Sequence, residues 1–267
     1  MKNWKSGMAI VCVLLVVVGI YAAYYNFLYQ GYLVATDKDG ALVGVRSGTF
    51  GDAFGTLNAF FSGLAFSGVL ITILLQRRDL VESQEQNAKQ QAESQFYNIL
   101  SLQQQVIQGF DLHKSVPNSQ HTIQGRDCFR DWGGKLITRH SELDEKYSGE
   151  FSSERALEAY QKILKSHQGD LGLYFRSLYS VFRFVENNKY VDKKNFGLVV
   201  RSLLSDYELV FLFYNCLSVK GEKFKRFAKT YALFDNLDVD LLIARKHVLF
   251  MDKEAYGENE EALGFFS

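Results

Sequence analysis

From Ala53 to Gln76 the chain carries no charged residue, and the run stops at the pair Arg77–Arg78. At ~1.5 Å per residue a helix over this run is ~36 Å long, enough to cross a bilayer with some tilt. Its backbone groups would be unsatisfied in lipid unless they bonded within the segment, so the run is expected to be a transmembrane helix over 53–76. Gly51, Gly55, Ala59, Gly63 and Ser67 recur every fourth position and form a low ridge suited to close helix packing. Asn58 adds an amide that would seek a partner across a helix interface. The ridge would seat either Ala9, Ala22 or Ala23 of a neighbouring span, or a second copy of the chain.

A second apolar run precedes it. Met8 to Tyr25 is rich in Val, Leu and Ile, follows Lys2 and Lys5, and stays free of charge to Thr36. No small-x-small cleavage pattern appears before Tyr24, so an uncleaved span over about 8–28 is expected rather than a signal peptide. Tyr21, Tyr24, Tyr25, Tyr29 and Tyr32 crowd its far end, as interfacial rings do. Basic residues flank the outer ends of both runs, so residues 1–76 read as a two-span hairpin with both termini cytoplasmic.

After Arg78 a narrow apolar stripe of Leu80, Val81, Ala88, Ala92, Phe96, Ile99, Val106 and Phe110 predicts a helical stalk over 77–110. The stripe is thin around Glu82–Gln91, which makes a coiled coil weak there and places firm packing from Phe96 onward. Asp111–Gly125, with Pro117, Asn118 and Ser119, reads as a loop. Helices are expected over Arg126–His140 (broken at Gly133–Gly134), into Ser166 from Ser152, and over Leu171–Glu186. Further helices are expected over Asn195–Ser218, Lys220–Leu233 and Leu237–Met251. With no glycine-flanked βαβ unit, the fold class is all-α: a transmembrane hairpin, a stalk, a cytoplasmic helical domain over 111–251, and a loosely ordered tail over 252–267.

Charge excludes several functions. Thirty Lys and Arg balance thirty Asp and Glu, which gives no strong nucleic-acid signal. Cys12, Cys128 and Cys216 are far apart and make neither a CxxC pair nor a disulfide framework. Neither GxxxxGK[ST], GxSxG nor HExxH occurs, and no histidine follows an arginine by five to seven positions, as one helical RNase type requires. No cofactor, metal site or catalytic residue is assigned.

The polar residues inside apolar helices are the candidate site: Tyr174 and Arg176 on one helix, Arg201, Glu208, Tyr214 and Asn215 on the next. A buried Glu208 needs a cation, for which Arg176 or Arg201 is expected. The set is either a satisfied network that fixes helix register, or a pocket where Arg176, Glu208, Tyr214 and Asn215 converge on a trigger or substrate. Lys220, Lys223, Lys225, Arg226 and Lys229 form a basic cluster, readable as a wet helix face or a contact with anionic lipid heads.

Several short motifs in order resemble the phage abortive infection proteins (AbiC-like). They are Gly48-Thr-Phe-Gly-Asp52-Ala-Phe-Gly55, Ile73-Leu-Leu-Gln-Arg77-Arg78, Phe96-Tyr-Asn-Ile-Leu100 and Gly125-Arg126-Asp127 with Phe129. Tyr174-Phe-Arg176-Ser-Leu-Tyr179, Leu204-Ser-Asp-Tyr207-Glu208-Leu, Phe213-Tyr214-Asn215, and Lys223-Phe-Lys-Arg-Phe227 running to Tyr231-Ala-Leu-Phe234 complete them. The likeness spans about Gly44 to His247. It implies a bacterial inner-membrane protein of antiviral defence that acts by abortive infection and confers phage resistance. The domain would detect infection and the membrane helices would transmit or execute the response. The expected partners are the lipid bilayer, from the uncharged runs, a homo-oligomer mate, from the ridge and Asn58, and a phage-derived or defence-system protein. The alternatives are a membrane-tethered, nuclease-like enzyme with its site in the polar core, and a non-catalytic adaptor for a separate effector.

Overall fold

The computed structural model describes residues 15–26, 38, 49–116, 119–143 and 153–266. The chain divides into two compact units, 1–83 and 84–267.

In the first unit, α1 (Leu15–Asn26) is a short apolar helix. The remainder of the expected first span, 8–14 and 27–28, lies outside the described residues. Among the described residues the next helix, α2 (Thr49–Gln108), is continuous and extends into the second unit's sequence. By length and composition it could cross a membrane, and its large apolar side chains from Phe60 to Leu75, Phe61 excepted, are exposed. Ser67 and Thr72 each donate their hydroxyl to the carbonyl four residues back, Gly63 and Gly68, at 2.8 Å. This leaves no bare polar group on that surface from either side chain.

Tyr21 of α1 stacks on Phe61 of α2 with ring centroids 5.0 Å apart, and Leu57 and Phe61 are half-buried. Two positions along a helix is roughly 200° around its axis. The ridge at Gly55, Ala59 and Gly63 therefore faces away from Phe61. A Cβ added at Gly55 or Gly63 meets nothing within 4 Å, and Asn58, Ala59 and Ser67 are exposed. Of the two occupants left open for the ridge, Ala22 and Ala23 do not fill it within the described residues, where α1 contacts the aromatic side of α2, and Ala9 lies outside the described residues. Gly51 lies in the first turn of α2, and its surroundings fall outside what is described.

The second unit starts inside α2, where burial sets in at Ala92 and Phe96. Phe96 meets Phe196 edge-on at 4.4 Å. The segment expected to be a loop is instead an antiparallel hairpin, β1 (Asp111–Val116) with β2 (Ser119–Gln124). Leu112 and Ile123 face each other across it and pack against the core, a period-2 signal too short to stand out in sequence. The domain is thus mostly helical rather than purely all-α.

Four helices follow: α3 (Asp127–Ser141), α4 (Ser153–Ser166), α5 (Gln168–Asn187) and α6 (Lys193–Ser202). Gly133–Gly134 do not break α3, because Tyr207 packs its ring where a Cβ at Gly133 would lie, at 2.9 Å. The glycine is a contact, not a stop. The helix expected over Asn195–Ser218 is two, α6 and α7 (Asp206–Leu217), parted at Leu203–Ser205. Ser205 begins α7, and Glu208 reaches back to its N–H at 3.0 Å, the Ser-x-x-Glu capping pattern. Every residue from Glu208 to Cys216 is buried, so α7 is the central helix of the core.

Beyond α8 (Glu222–Thr230), the helix expected over Leu237–Met251 is replaced by short 3-10 turns at Val239–Leu241 and Arg245–Phe250. The expected loose tail is also corrected. Ala255, Tyr256 and Ala262 are fully buried, and the Phe234 N–H donates to the Ala255 carbonyl at 2.9 Å. Tyr256 donates its hydroxyl to the Val248 carbonyl at 2.7 Å, which ties the end of the chain to the turns before it.

Candidate functional site

The six polar residues singled out by sequence separate into four settings. Glu208 is fully buried, and its partner is Arg126, with Nε 3.4 Å from Oε2. Neither Arg176 nor Arg201 fills that role. The Arg126 guanidinium also donates to the Gln104 side chain at 2.7 Å and to the Leu203 carbonyl at 2.8 Å. It thereby joins α2, the α6–α7 break and the first turn of α7. Ser205 adds its hydroxyl, 2.7 Å from the same Oε2, while Oε1 is buried with no hydrogen-bond partner among the described residues. Tyr174 lies beside this group. Burial first, and then the Glu208 charge, push its phenol well above the ordinary range.

Arg201 instead pairs with Asp235 at 3.0 Å and donates to the Ala232 carbonyl at 3.3 Å. It fastens the turn after α8, where Ala232 adopts a positive φ of 47°. Tyr214 is enclosed at the core: its oxygen accepts from the Ile243 N–H at 2.9 Å and shares a proton with His247 Nδ1 at 2.9 Å. These three settings are structural ties, and none of Glu208, Tyr174, Arg201 and Tyr214 lines the cavity described next.

Arg176 and Asn215 are brought to the same place. They line a cavity of about 410 Å³ between α5 and the Ser218–Phe224 connection. Gln168, Gly172, Phe175, Arg176, Tyr179 and Ser180 supply one wall, at the three- and four-residue spacing of a single helix face. Lys220, Gly221, Lys223 and Phe224 supply the other. Phe175 and Phe224 are buried and Tyr179 half-buried, while Arg176, Lys220 and Lys223 stand exposed at the mouth. The expected convergence is therefore half realised: Glu208 and Tyr214 do not line this cavity.

The far wall depends on a tight turn. The Gly221 N–H donates to both the carbonyl and the hydroxyl of Ser218, at 3.1 and 3.2 Å. Ser218 in turn donates its hydroxyl to the Asn215 carbonyl at 2.7 Å. A Cβ at Gly221 would overlap that same carbonyl, so the turn closes only around glycine. Asn215 is itself oriented by Tyr160, whose hydroxyl donates to Oδ1 at 3.0 Å. That leaves the amide nitrogen as the group Asn215 has to offer.

The basic cluster divides accordingly. Lys229 pairs with Asp252 at 3.1 Å and Arg226 lies over the Phe227 ring at 4.7 Å. Lys220 and Lys223 turn to the cavity mouth, and no carboxylate lines it. A larger open cleft of about 930 Å³ runs along α3, but its charges answer one another: Lys135 with Asp131 at 2.8 Å, Arg139 with Glu142 at 2.8 Å, and Arg130 with Asp127 at 3.8 Å. His167 on its rim has its pKa lowered, by burial before the nearby Lys135. A neutralised, solvent-open cleft selects a ligand less sharply than a cationic mouth over an aromatic floor.

No group of three or more His, Cys, Asp or Glu among the described residues could hold a metal ion. Cys128 and Cys216 are free, buried thiols; burial pushes Cys128 up to about 11 and Cys216 further. Neither is poised as a nucleophile.

Sequence reasoning missed Arg126 as the partner of Glu208. The signals were present in Gly125-Arg126-Asp127 and in an acid set within an apolar helix, but their separation in sequence hid the pairing. It also missed Gly221, whose role shows only when the Ser218 turn is seen.

Residues 166–241 match the family model described as "Putative phage abortive infection protein". The match runs from the end of α4 through α8 to the first 3-10 turn, and every residue that lines the cavity except Leu164 falls inside it. The motifs from Gly48 to Asp127 that suggested a longer likeness lie outside the matched span. No curated protein and no solved structure matches the chain.

Proposed function

We propose that this chain is a membrane-anchored anti-phage defence protein that acts by abortive infection, with a helical domain that senses infection and membrane helices that carry the response. The observation that carries the reading is the family match over 166–241, which encloses the cationic cavity. The anchor is α2, whose exposed apolar stretch and buried end are one uninterrupted helix. Together with α1 it forms a two-span hairpin in the bacterial inner membrane. Lys2 and Lys5 at one end and Arg77–Arg78 at the other keep both termini in the cytoplasm. Residues 77–110 act as the stalk, with burial setting in at Ala92.

Phage challenge with and without the protein, following membrane potential and nucleic-acid integrity together, tests this. Potential is expected to collapse in infected protected cells while RNA and DNA stay intact. Dying protected cells with unchanged potential would sink the membrane step, and degraded nucleic acid would favour a tethered nuclease.

The open ridge at Gly55, Asn58, Ala59, Gly63 and Ser67 supports self-association, because α1 contacts the other side of α2. Glycine ridges let helix backbones approach closely, and an amide such as that of Asn58 contributes about 0.6–2 kcal/mol across such an interface. Gly55→Leu with Gly63→Leu is expected to convert the oligomer to monomer in cross-linking and to abolish protection. An unchanged cross-linking pattern would show that the ridge only fills space.

A further inference from the structure

We propose that the cavity between α5 and α8 binds a small molecule that combines a flat ring with a phosphate group, of the nucleoside monophosphate class. The idea takes the cavity as the sensing site of the function proposed above and specifies what it senses.

Three observations converge on that chemistry. First, Arg176, Lys220 and Lys223 stand at one mouth, and no ion pair joins any of them to a carboxylate among the described residues. Three uncompensated cations at one opening repel each other, and a doubly charged phosphate relieves this better than a single carboxylate. Arg176 supplies the planar fork that suits two phosphate oxygens, while the lysines act as point charges. Second, two further polar groups can donate, the Asn215 amide and the Gln168 amide, while the Ser180 hydroxyl already donates to the Arg176 carbonyl at 2.9 Å. Asn215 is nearly buried and its Oδ1 is already engaged by Tyr160, so it meets a ligand as a donor.

Third, the floor is aromatic. Phe175, Tyr179 and Phe224 line it, and Tyr179 and Phe224 meet edge-on at 5.9 Å. Such a surface takes a flat ring and gains little from an inorganic ion. The volume of about 410 Å³ falls within the range of about 300–1,000 Å³ usual for small-molecule sites. A phosphate at the mouth and a ring on the floor would use both halves together. Free nucleotide is favoured over a lipid headgroup because the aromatic part of the site lies inside the fold, beneath the cations.

Equilibrium titration of the purified full-length chain in neutral detergent and phosphate-free buffer tests this. The probes are AMP, GMP, CMP and UMP, with adenosine and inorganic phosphate as half-ligands. At least one monophosphate is expected to bind at micromolar concentration, with both half-ligands at least tenfold weaker. Arg176→Ala and Lys220→Ala, both at exposed positions, are expected to weaken it by roughly tenfold to a hundredfold. Tyr179→Leu should weaken the nucleotide and leave inorganic phosphate unchanged. No binding of any nucleotide at millimolar concentration overturns the proposal, as does equal binding of inorganic phosphate. Vesicles of phosphatidylcholine and phosphatidylglycerol form the second arm. Vesicle binding that the two cation variants abolish, without nucleotide binding, assigns the cations to lipid and also overturns it. Binding is read on purified protein, so a negative result leaves the defence reading to phage challenge, and a failed challenge leaves the binding result standing.

Discussion

Arg126→Met is expected to lower the thermal midpoint of the helical domain by about 6–12 °C. Glu208 is fully buried and Arg126 is its only cationic partner among the described residues. Removing one member of such a pair costs about 3–5 kcal/mol, because the charge left behind has lost both water and counter-charge. The lower end, about 3 kcal/mol, applies here: Ser205 keeps two donors on the carboxylate, and Arg126 is partly open to water. For a domain of this size each kcal/mol moves the midpoint by about 2–4 °C. The loss of the bonds to Gln104 and Leu203 acts in the same direction. Adding Glu208→Gln should recover part of the loss, since no charge then remains to be balanced. Circular dichroism melts of the full chain in detergent give both values. A shift under 2 °C for Arg126→Met would show that the pair is not what holds the α6–α7 break. Because Glu208 stands apart from the cavity, Glu208→Gln alone should leave phage protection intact.

What could be read from sequence followed from repetition. The uncharged run of α2 and the apolar face of α5 repeat a simple pattern over many residues, and both are helices. Leu171, Tyr174, Phe175, Leu178, Phe182 and Val185, which fall on one face of a helix by their spacing, are all buried. What escaped was set by single residues or by contacts distant in the chain. The α6–α7 break turns on Ser205 and Glu208, whose capping pattern is masked by hydrophobic residues on both sides. The hairpin at 111–124 has only Leu112 and Ile123 to mark its inner face. The C-terminal segment is polar on average, yet Tyr256 inserts a fully buried ring into the core, and Phe265 and Phe266 pack against it. Average polarity says nothing about one well-placed ring.

The same division holds at the site. Sequence drew attention to Arg176 and Asn215 because polar groups among apolar neighbours need a reason, and those two do share a cavity. It grouped them with Glu208 and Tyr214 because all four lie in adjacent helices. A helix that is buried on every side sends neighbouring residues to different walls, and α7 does this. Glu208 serves its own N-terminus, Tyr214 meets His247, and Asn215 one position later reaches the cavity. Lys220 and Lys223 looked like a solvated face until the turn at Gly221 folded them over α5.

Gly221→Ala is therefore expected to disrupt the site more than any cation variant. The backbone at Gly221, with φ −96° and ψ −2°, is open to alanine, so the obstacle is contact and not torsion. The new methyl would overlap the Asn215 carbonyl, a backbone group that cannot rotate away as a side chain can. Relief requires opening the Ser218–Gly221 turn, which breaks its hydrogen bonds and moves Lys220 and Lys223 off the mouth. Overpacking costs about 1–3 kcal/mol, and a backbone obstacle places this case at about 3 kcal/mol, a fall of about 6–12 °C. Gly134→Ala in α3 is the matched control: a Cβ there meets nothing within 4 Å, and the change should stabilise the helix by about 0.5–1 kcal/mol. Nucleotide binding should vanish in Gly221→Ala at temperatures where the domain is still folded, and persist in Gly134→Ala. Full binding by a folded Gly221→Ala protein would show that the turn does not shape the cavity.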